Sequence, residues 1–339
     1  MFCHLAYDGF FDFEMCADIE LKEKNERFIK EYGQVPKQLL KFGHPPRSEI
    51  ASVPEIYASG FGLWENEMIV NKPSMIVHEM QVHSKRISSL QKIENKIIST
   101  GYDGIVQIGD SKRIAFEKPI NYSSLQNNTY LYISLNSKIV VCSISLGQSI
   151  QEFKAHEDRI SGLKCLEPNL LLTSSWDQTF KLWDTRSPLK PVFLYENNRE
   201  ISCLANNILE PYSAFIGDMN GYLKTFDLRI GLKDEYKCSE YIFGVYSTPS
   251  GELVCGTLAT QMFKNSFLVS SINLPGVQSV TTDGKFAFLG KEEESLQLWD
   301  LVNSTYLYNW DEICNISSVL CDGHEVYAGT IEGNIYKIG

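Results

Sequence analysis

A turn-and-strand signature keeps returning along the chain, and this recurrence constrains the fold more than any other feature of the sequence. In SSWDQTFKLWD, residues 174–184, a turn at Asp177 is followed six positions later by Trp183. The same register places Asp103 in GYDGIVQIG, Asn136 in SLNSKIVVC, Asn220 in DMNGYLKTF, Glu293 in EEESLQLW and Glu332 in TIEGNIYKI. The successive intervals are 33, 41, 43, 73 and 39 residues. The long interval is about twice the others and has room for one more unit with decayed landmarks; GELVCGTLATQMFKNSFLVSSI, 251–272, supplies two apolar strands there. The count is therefore seven.

In the clearest unit, RISGLKCL (159–166), NLLLTSS, QTFKLWD and KPVFLYE read as four short strands split by turn residues. Apolar or alternating runs of about five residues are strands, and a helical repeat would instead show a period of 3.6. Four strands per unit make the blade of an all-β propeller. Helical patterning is nearly absent after residue 50. The last unit stops at Gly339 after three strands, so its fourth must come from elsewhere. SMIVHEMQ, 74–81, precedes the first unit and belongs to none, and it is expected to close the ring and remove the open edge.

The 339 residues are 43% hydrophobic, enough for one large β unit with an appendage. A net charge of −11 argues against a nucleic-acid partner, which would require clustered cations. Nine cysteines without a CxxC pair or a zinc-like histidine spacing read as reduced thiols of a cytoplasmic protein, with no metal and no cofactor. No run approaches the ~18 apolar residues of a membrane span, and MFCHLAYDGFFDF lacks the marks of a secretion signal. With no P-loop, GxGxxG, HExxH or GxSxG, no catalytic residue is assigned and the chain is expected not to be an enzyme.

The units resemble WD40 repeats. In the third, His156, Ser174, Asp177 and Trp183 match the His, Ser/Thr, Asp and Trp that the family joins in a buried hydrogen-bonded tetrad. Such a role is physically sensible, because an unpartnered buried polar group costs ~1–3 kcal/mol. A catalytic use of His156 with Asp177 would instead need both open to solvent in a cleft. The landmarks fade elsewhere: His83 and Asp103 remain in the first unit with Gly109 in place of the tryptophan, and Trp299-Asp300 remains in the sixth with Glu293 at the turn.

The start of the chain differs. NERFIKEYGQVPKQLLKFGHPPR, 25–47, holds a short helical pattern followed by the breakers Gly33 and Pro36. EYGQVPKQLLKFGHPPR is similar to the (F/Y)GQxPxQLFxxxHPxR segment that ends BEACH domains, with Gly33, Gln34, Pro36, Gln38, Leu39, His44, Pro45 and Arg47 in order. FCHLAYDGFFDF resembles the stretch that precedes it. The resemblance implies a BEACH-like closing segment over 1–50, a linker over 51–73 and a seven-bladed WD40 propeller over 74–339, the layout of the BEACH-WD40 family. Within that family, SISLGQSIQEFKAHEDRISGLKCLEPNLLLTSSWDQTFKLW is most similar to the FAN-like members. A whole BEACH domain is far longer than this segment, so the chain is expected to be either a fragment or a divergent propeller with a BEACH tail.

Propellers bind through loops at their rims. The residues before the turn positions, Tyr102, Leu135, Trp176, Met219, Glu292 and Ile331, are expected to point toward one opening as a partner-binding rim. With acidic Glu292, Glu293 and Glu332 beside it, such a rim would suit a protein or peptide with hydrophobic anchors and some basic character. Trp183 then reads as a joint of the fold and Trp176 as a contact. The resemblance implies a cytoplasmic adaptor, peripheral to membranes, in membrane trafficking or receptor-proximal, sphingomyelinase-linked signalling, with membrane-associated receptor complexes among its partners. The alternative is a substrate receptor or assembly subunit of another WD40 complex, such as a ubiquitin ligase.

Overall fold

The computed structural model describes residues 78–338, apart from 167–168, 188–189, 208–209, 211, 249–250, 257–258, 265–266, 275–276, 283–285, 292–294, 302 and 323–324. The expected BEACH-like segment and linker, with their helical pattern, lie outside the described residues. Among those described there is no helix; all regular structure is strand, arranged as seven four-stranded antiparallel sheets. Blades one to six span 87–115, 122–154, 160–196, 201–237, 242–272 and 279–314, and each runs as a simple meander. The first strand of each blade packs beside the first strands of its two neighbours, so these seven strands surround a central axis. The result is a seven-bladed propeller.

The seventh blade is built from both ends of the described chain. Its own strands are Ile316–Asp322, Glu325–Thr330 and Asn334–Ile338, and its outer strand is His78–Gln81. That segment pairs antiparallel with the last strand, His78 opposite Lys337 and Gln81 opposite Asn334. The amides of Val82 and His83 then donate to the Gly333 carbonyl at 3.2 and 3.0 Å. Blade five corrects the sequence reading in one detail. The stretch 251–272 holds three strands, Gly251–Gly256, Thr260–Lys264 and Phe267–Ile272, where two were expected.

Period-two alternation decides where the core sits. In blade three, Leu171 and Trp183 face Tyr132, Ile139 and Val141 of blade two, while Leu172, Phe180 and Leu182 face Ile216 and Phe226 of blade four. The same division recurs around the ring, and each apolar cluster spans two adjacent blades. No blade therefore owns a core. Burying a side chain of this size contributes roughly 1.5–3 kcal/mol, and here every such contribution depends on a neighbouring sheet.

Candidate functional site

The His156 cluster is the first candidate, and its geometry is closed. His156 follows the outer strand of blade two, Asp177 lies in the hairpin between Leu170–Ser175 and Thr179–Asp184, and Trp183 is on the latter strand. The indole N–H of Trp183 donates to Thr173 Oγ1 at 2.9 Å, and that oxygen is 2.7 Å from His156 Nε2. Burial favours the neutral imidazole, and in that form the Thr173 hydroxyl donates to Nε2 while Nδ1–H points to Asp177 Oδ2, 2.9 Å away. Burial lowers the pKa of His156, with Asp177 pulling against it. Desolvation raises the Asp177 carboxyl, but donors from His156, Thr179 and the Glu157 amide outweigh it and hold it well below the ordinary carboxylate range.

One member differs from expectation. Ser174 is not in the tetrad, and Thr173 is. Leu171 stands opposite Trp183 in the ladder, so the residue sharing its face is two positions on, at Thr173; Ser174 projects from the other face and meets Ser161 Oγ at 3.0 Å. The His156 side chain is 0% exposed and that of Asp177 9%, which seals the pair from any substrate and leaves it a joint between blades. Blade one repeats the arrangement without the tryptophan, through His83, Ser99 and Asp103. In blade six the Trp299 indole donates instead to Gln297 at 2.8 Å. Burial pushes the Cys142 and Cys203 thiols up to about 12 and keeps these two protonated.

An open site lies at one mouth of the central channel, and a repeated local irregularity builds it. The first strand of a blade begins with a buried isoleucine at Ile87, Ile160, Ile201, Ile242 and Ile316, and the pairing register slips immediately after each. Each slip is a β-bulge, one extra residue that bends the strand and re-aims its side chain. The extra residues are Ser88, Ser161, Ser202, Phe243 and Ser317, and all five line a cavity of about 260 Å³ on the axis. In blades one and three the residue before the isoleucine is an arginine at the mouth, whose carbonyl accepts from the amide that starts the hairpin of the same blade. Tyr102 N–H donates to Arg86 O at 2.8 Å, and Trp176 N–H donates to Arg159 O at 3.0 Å.

This register couples each arginine to an aromatic ring. The Arg86 guanidinium lies 5.9 Å from the Tyr102 ring centroid, and that of Arg159 lies 5.2 Å from Trp176. Arg159 also donates to the Tyr102 hydroxyl at 3.0 Å, reaching over blade two, while Arg86 donates to Gln278 on blade six. Arg86, Tyr102, Arg159 and Trp176 thus form one continuous run. Burial raises the phenols of Tyr122 and Tyr241, which line the same cavity, and keeps them as neutral hydroxyls.

The expected rim separates under this geometry. Tyr102 and Trp176 line the mouth, and Trp176 is 36% exposed. Met219 and Ile331 occupy the matching hairpin positions, half-buried, with amides donating to Glu200 O and Asn315 O. Leu135 is a correction. The blade-two hairpin has only two turn residues, Asn136 and Ser137, so Leu135 is still in the strand and is buried between blades one and two. Glu292 and Glu293 lie outside the described residues, and Glu332 is exposed, accepting from Asn315 Nδ2 at 2.6 Å. Arg86 and Arg159 were missed, although the sequence marks both with the same tripeptide, Arg-Ile-Ser.

Among the described residues no helix is long and apolar enough to cross a membrane, and no group of three His, Cys, Asp or Glu side chains is placed to hold a metal. A family model described as "WD domain, G-beta repeat" matches residues 147–184, the stretch that contains His156, Asp177 and Trp183. Beige protein homolog 1 of Schizosaccharomyces pombe is 24% identical over 285 residues, covering 81% of this chain and 10% of its own length. The chain thus spans about a tenth of the curated relative it matches. It is a seven-bladed propeller with a WD-type repeat in its third blade, and it is similar to a Beige homologue.

Proposed function

We propose that the chain is a non-enzymatic interaction scaffold that docks a protein partner at the channel mouth. The observation that carries this reading is the half-exposed Trp176, held by Arg159 beside an open cavity while Trp183, seven positions on, is locked in the fold. Rigid aromatic and arginine side chains around a recess are the anchors that dominate protein interfaces. The likeness to a Beige homologue and to BEACH-WD40 proteins supports a setting in membrane trafficking or, through the FAN-like branch, in receptor-proximal signalling linked to neutral sphingomyelinase. Residues 1–50 as a BEACH-like closing segment, and a cytoplasmic location peripheral to membranes, belong to the same reading.

Affinity capture tests it, comparing the full chain with a Tyr102→Ala/Trp176→Ala double variant of unchanged circular dichroism. Membrane-trafficking or receptor-associated proteins should be retained by the wild type and lost by the variant. Equal recovery by both would refute docking at the mouth, and recovery of ubiquitin-ligase subunits alone would favour the assembly-subunit alternative.

A further inference from the structure

Resting on the docking reading above, the geometry points to a more specific site: we propose that the channel mouth receives an oxyanion carried by a peptide side chain, clamped by Arg159 between Tyr102 and Trp176. Two other guanidiniums of this chain are paired within their own turns. Arg186 forms a two-pronged pair with Asp184, at 2.9 and 2.6 Å, and Arg229 repeats it with Asp227 at the same distances. In both cases the carboxylate is two residues earlier, so these turns neutralise themselves. Arg159 has no such partner. Among the described residues its guanidinium meets the Tyr102 hydroxyl and the Trp176 ring, and no carboxylate lies within ion-pair reach.

A guanidinium carries five N–H donors in a planar fork suited to carboxylate or phosphate, and one bond to a phenol leaves most of them unused. Holding that cation half-buried is unfavourable without an anion, and the surrounding aromatic walls strengthen any charge-assisted bond made there. The stack on Trp176 and the tether to Tyr102 hold the fork in place, which lessens the ordering needed on binding. Asn121 and the neutral hydroxyls of Tyr122 and Tyr241 line the same recess and can donate to the remaining lone pairs. The size favours a side chain. At about 260 Å³ the recess is smaller than the roughly 300–1,000 Å³ pockets that enclose whole small ligands. Overall charge does not account for the pattern, because the chain as a whole carries −11. Glu200, at the corresponding position of blade four, does not line the cavity.

The test pans a phage-displayed random peptide library against the full chain, against Arg159→Gln, which removes the charge but can still donate to Tyr102, and against Arg186→Gln as a charge control on another turn. Wild type and Arg186→Gln should enrich Asp- or Glu-containing peptides, and Arg159→Gln should lose that enrichment. For one selected peptide, replacing its acidic residue by the amide should weaken binding about ten- to a hundredfold, and phosphoserine against glutamate at that position assigns the oxyanion to phosphate or carboxylate. Peptides without acidic bias that still require Trp176 would overturn the oxyanion site and leave the docking reading standing. An acidic bias that survives Arg159→Gln would also overturn it. Binding indifferent to both Arg159 and Trp176 would remove both proposals.

Discussion

Thr173 shows how much one hydroxyl can carry when a strand brings it between two obligate partners. It accepts from the Trp183 indole and donates to His156, so Thr173→Val, equal in shape, strands a donor and an acceptor and should destabilise the protein by roughly 2 kcal/mol or more. Ser174→Ala should cost under about 1 kcal/mol, because its partner Ser161 lines the channel, where water can replace the lost bond. Urea midpoints compare the two, and the reverse order would return Ser174 to the tetrad. The tryptophans divide likewise. Trp183→Ala removes a buried ring and should cost ~3–5 kcal/mol, whereas Trp176→Ala should stay within about 1 kcal/mol. The choice between Thr173 and Ser174 was not legible from composition, since either hydroxyl satisfies the motif; only the facing of Leu171 against Trp183 decides it. Acid should also act on this cluster. His156 binds its proton less readily folded than unfolded, so stability should begin to fall as pH drops below about 6.5. The lowered carboxyls of Asp103 and Asp177 add a steeper loss below about pH 4. Asp177→Asn should flatten that acid limb in urea titrations taken across pH, and an unchanged slope would show that the pair does not govern it.

At the scale of elements, the clasp that closes blade seven depends on a single left-handed residue. Gly333 has φ +94°, and a Cβ there would sit 2.2 Å from the His83 carbonyl oxygen. Gly333→Ala should therefore displace the turn that receives the Val82 and His83 amides and loosen His78–Gln81 from Asn334–Ile338. Hydrogen exchange at 334–338 should accelerate by at least tenfold while blade three stays protected, and equal protection in both proteins would show that the clasp tolerates the change. The need for this closing strand was legible in the sequence because the last unit has one strand too few. Other elements were harder to read. The turn Asp and the tryptophan that mark a unit lie on or between its second and third strands and carry no information on how the first strand begins. There the recurring Arg-Ile-Ser at 86–88 and 159–161, with Glu-Ile-Ser at 200–202 and Asn-Ile-Ser at 315–317, marks the bulges that build the channel mouth. Leu135 failed for a related reason: shortening a hairpin by one residue moves its flanking side chain from the rim into the strand.

At the scale of the whole molecule, the apolar clusters lie between blades, and this makes the ring a single cooperative unit. A linear stack of repeats can fray from its ends, because losing a terminal unit exposes one interface. A closed ring has no terminal unit, so unfolding any blade exposes two clusters and breaks the circle. Trp183 lies between blades two and three and Trp299 between blades five and six, on separate clusters with no shared residue. Trp183→Ala and Trp299→Ala should each lower one common urea transition, and the double variant should lose the sum within about 0.5 kcal/mol. Far-ultraviolet circular dichroism and the fluorescence of the remaining tryptophans should trace the same curve in all three variants. Two separated transitions in Trp183→Ala would mean that part of the ring survives without the rest, and a large departure from additivity would mean that the clusters communicate through the sheets rather than standing as independent joints of one closed structure.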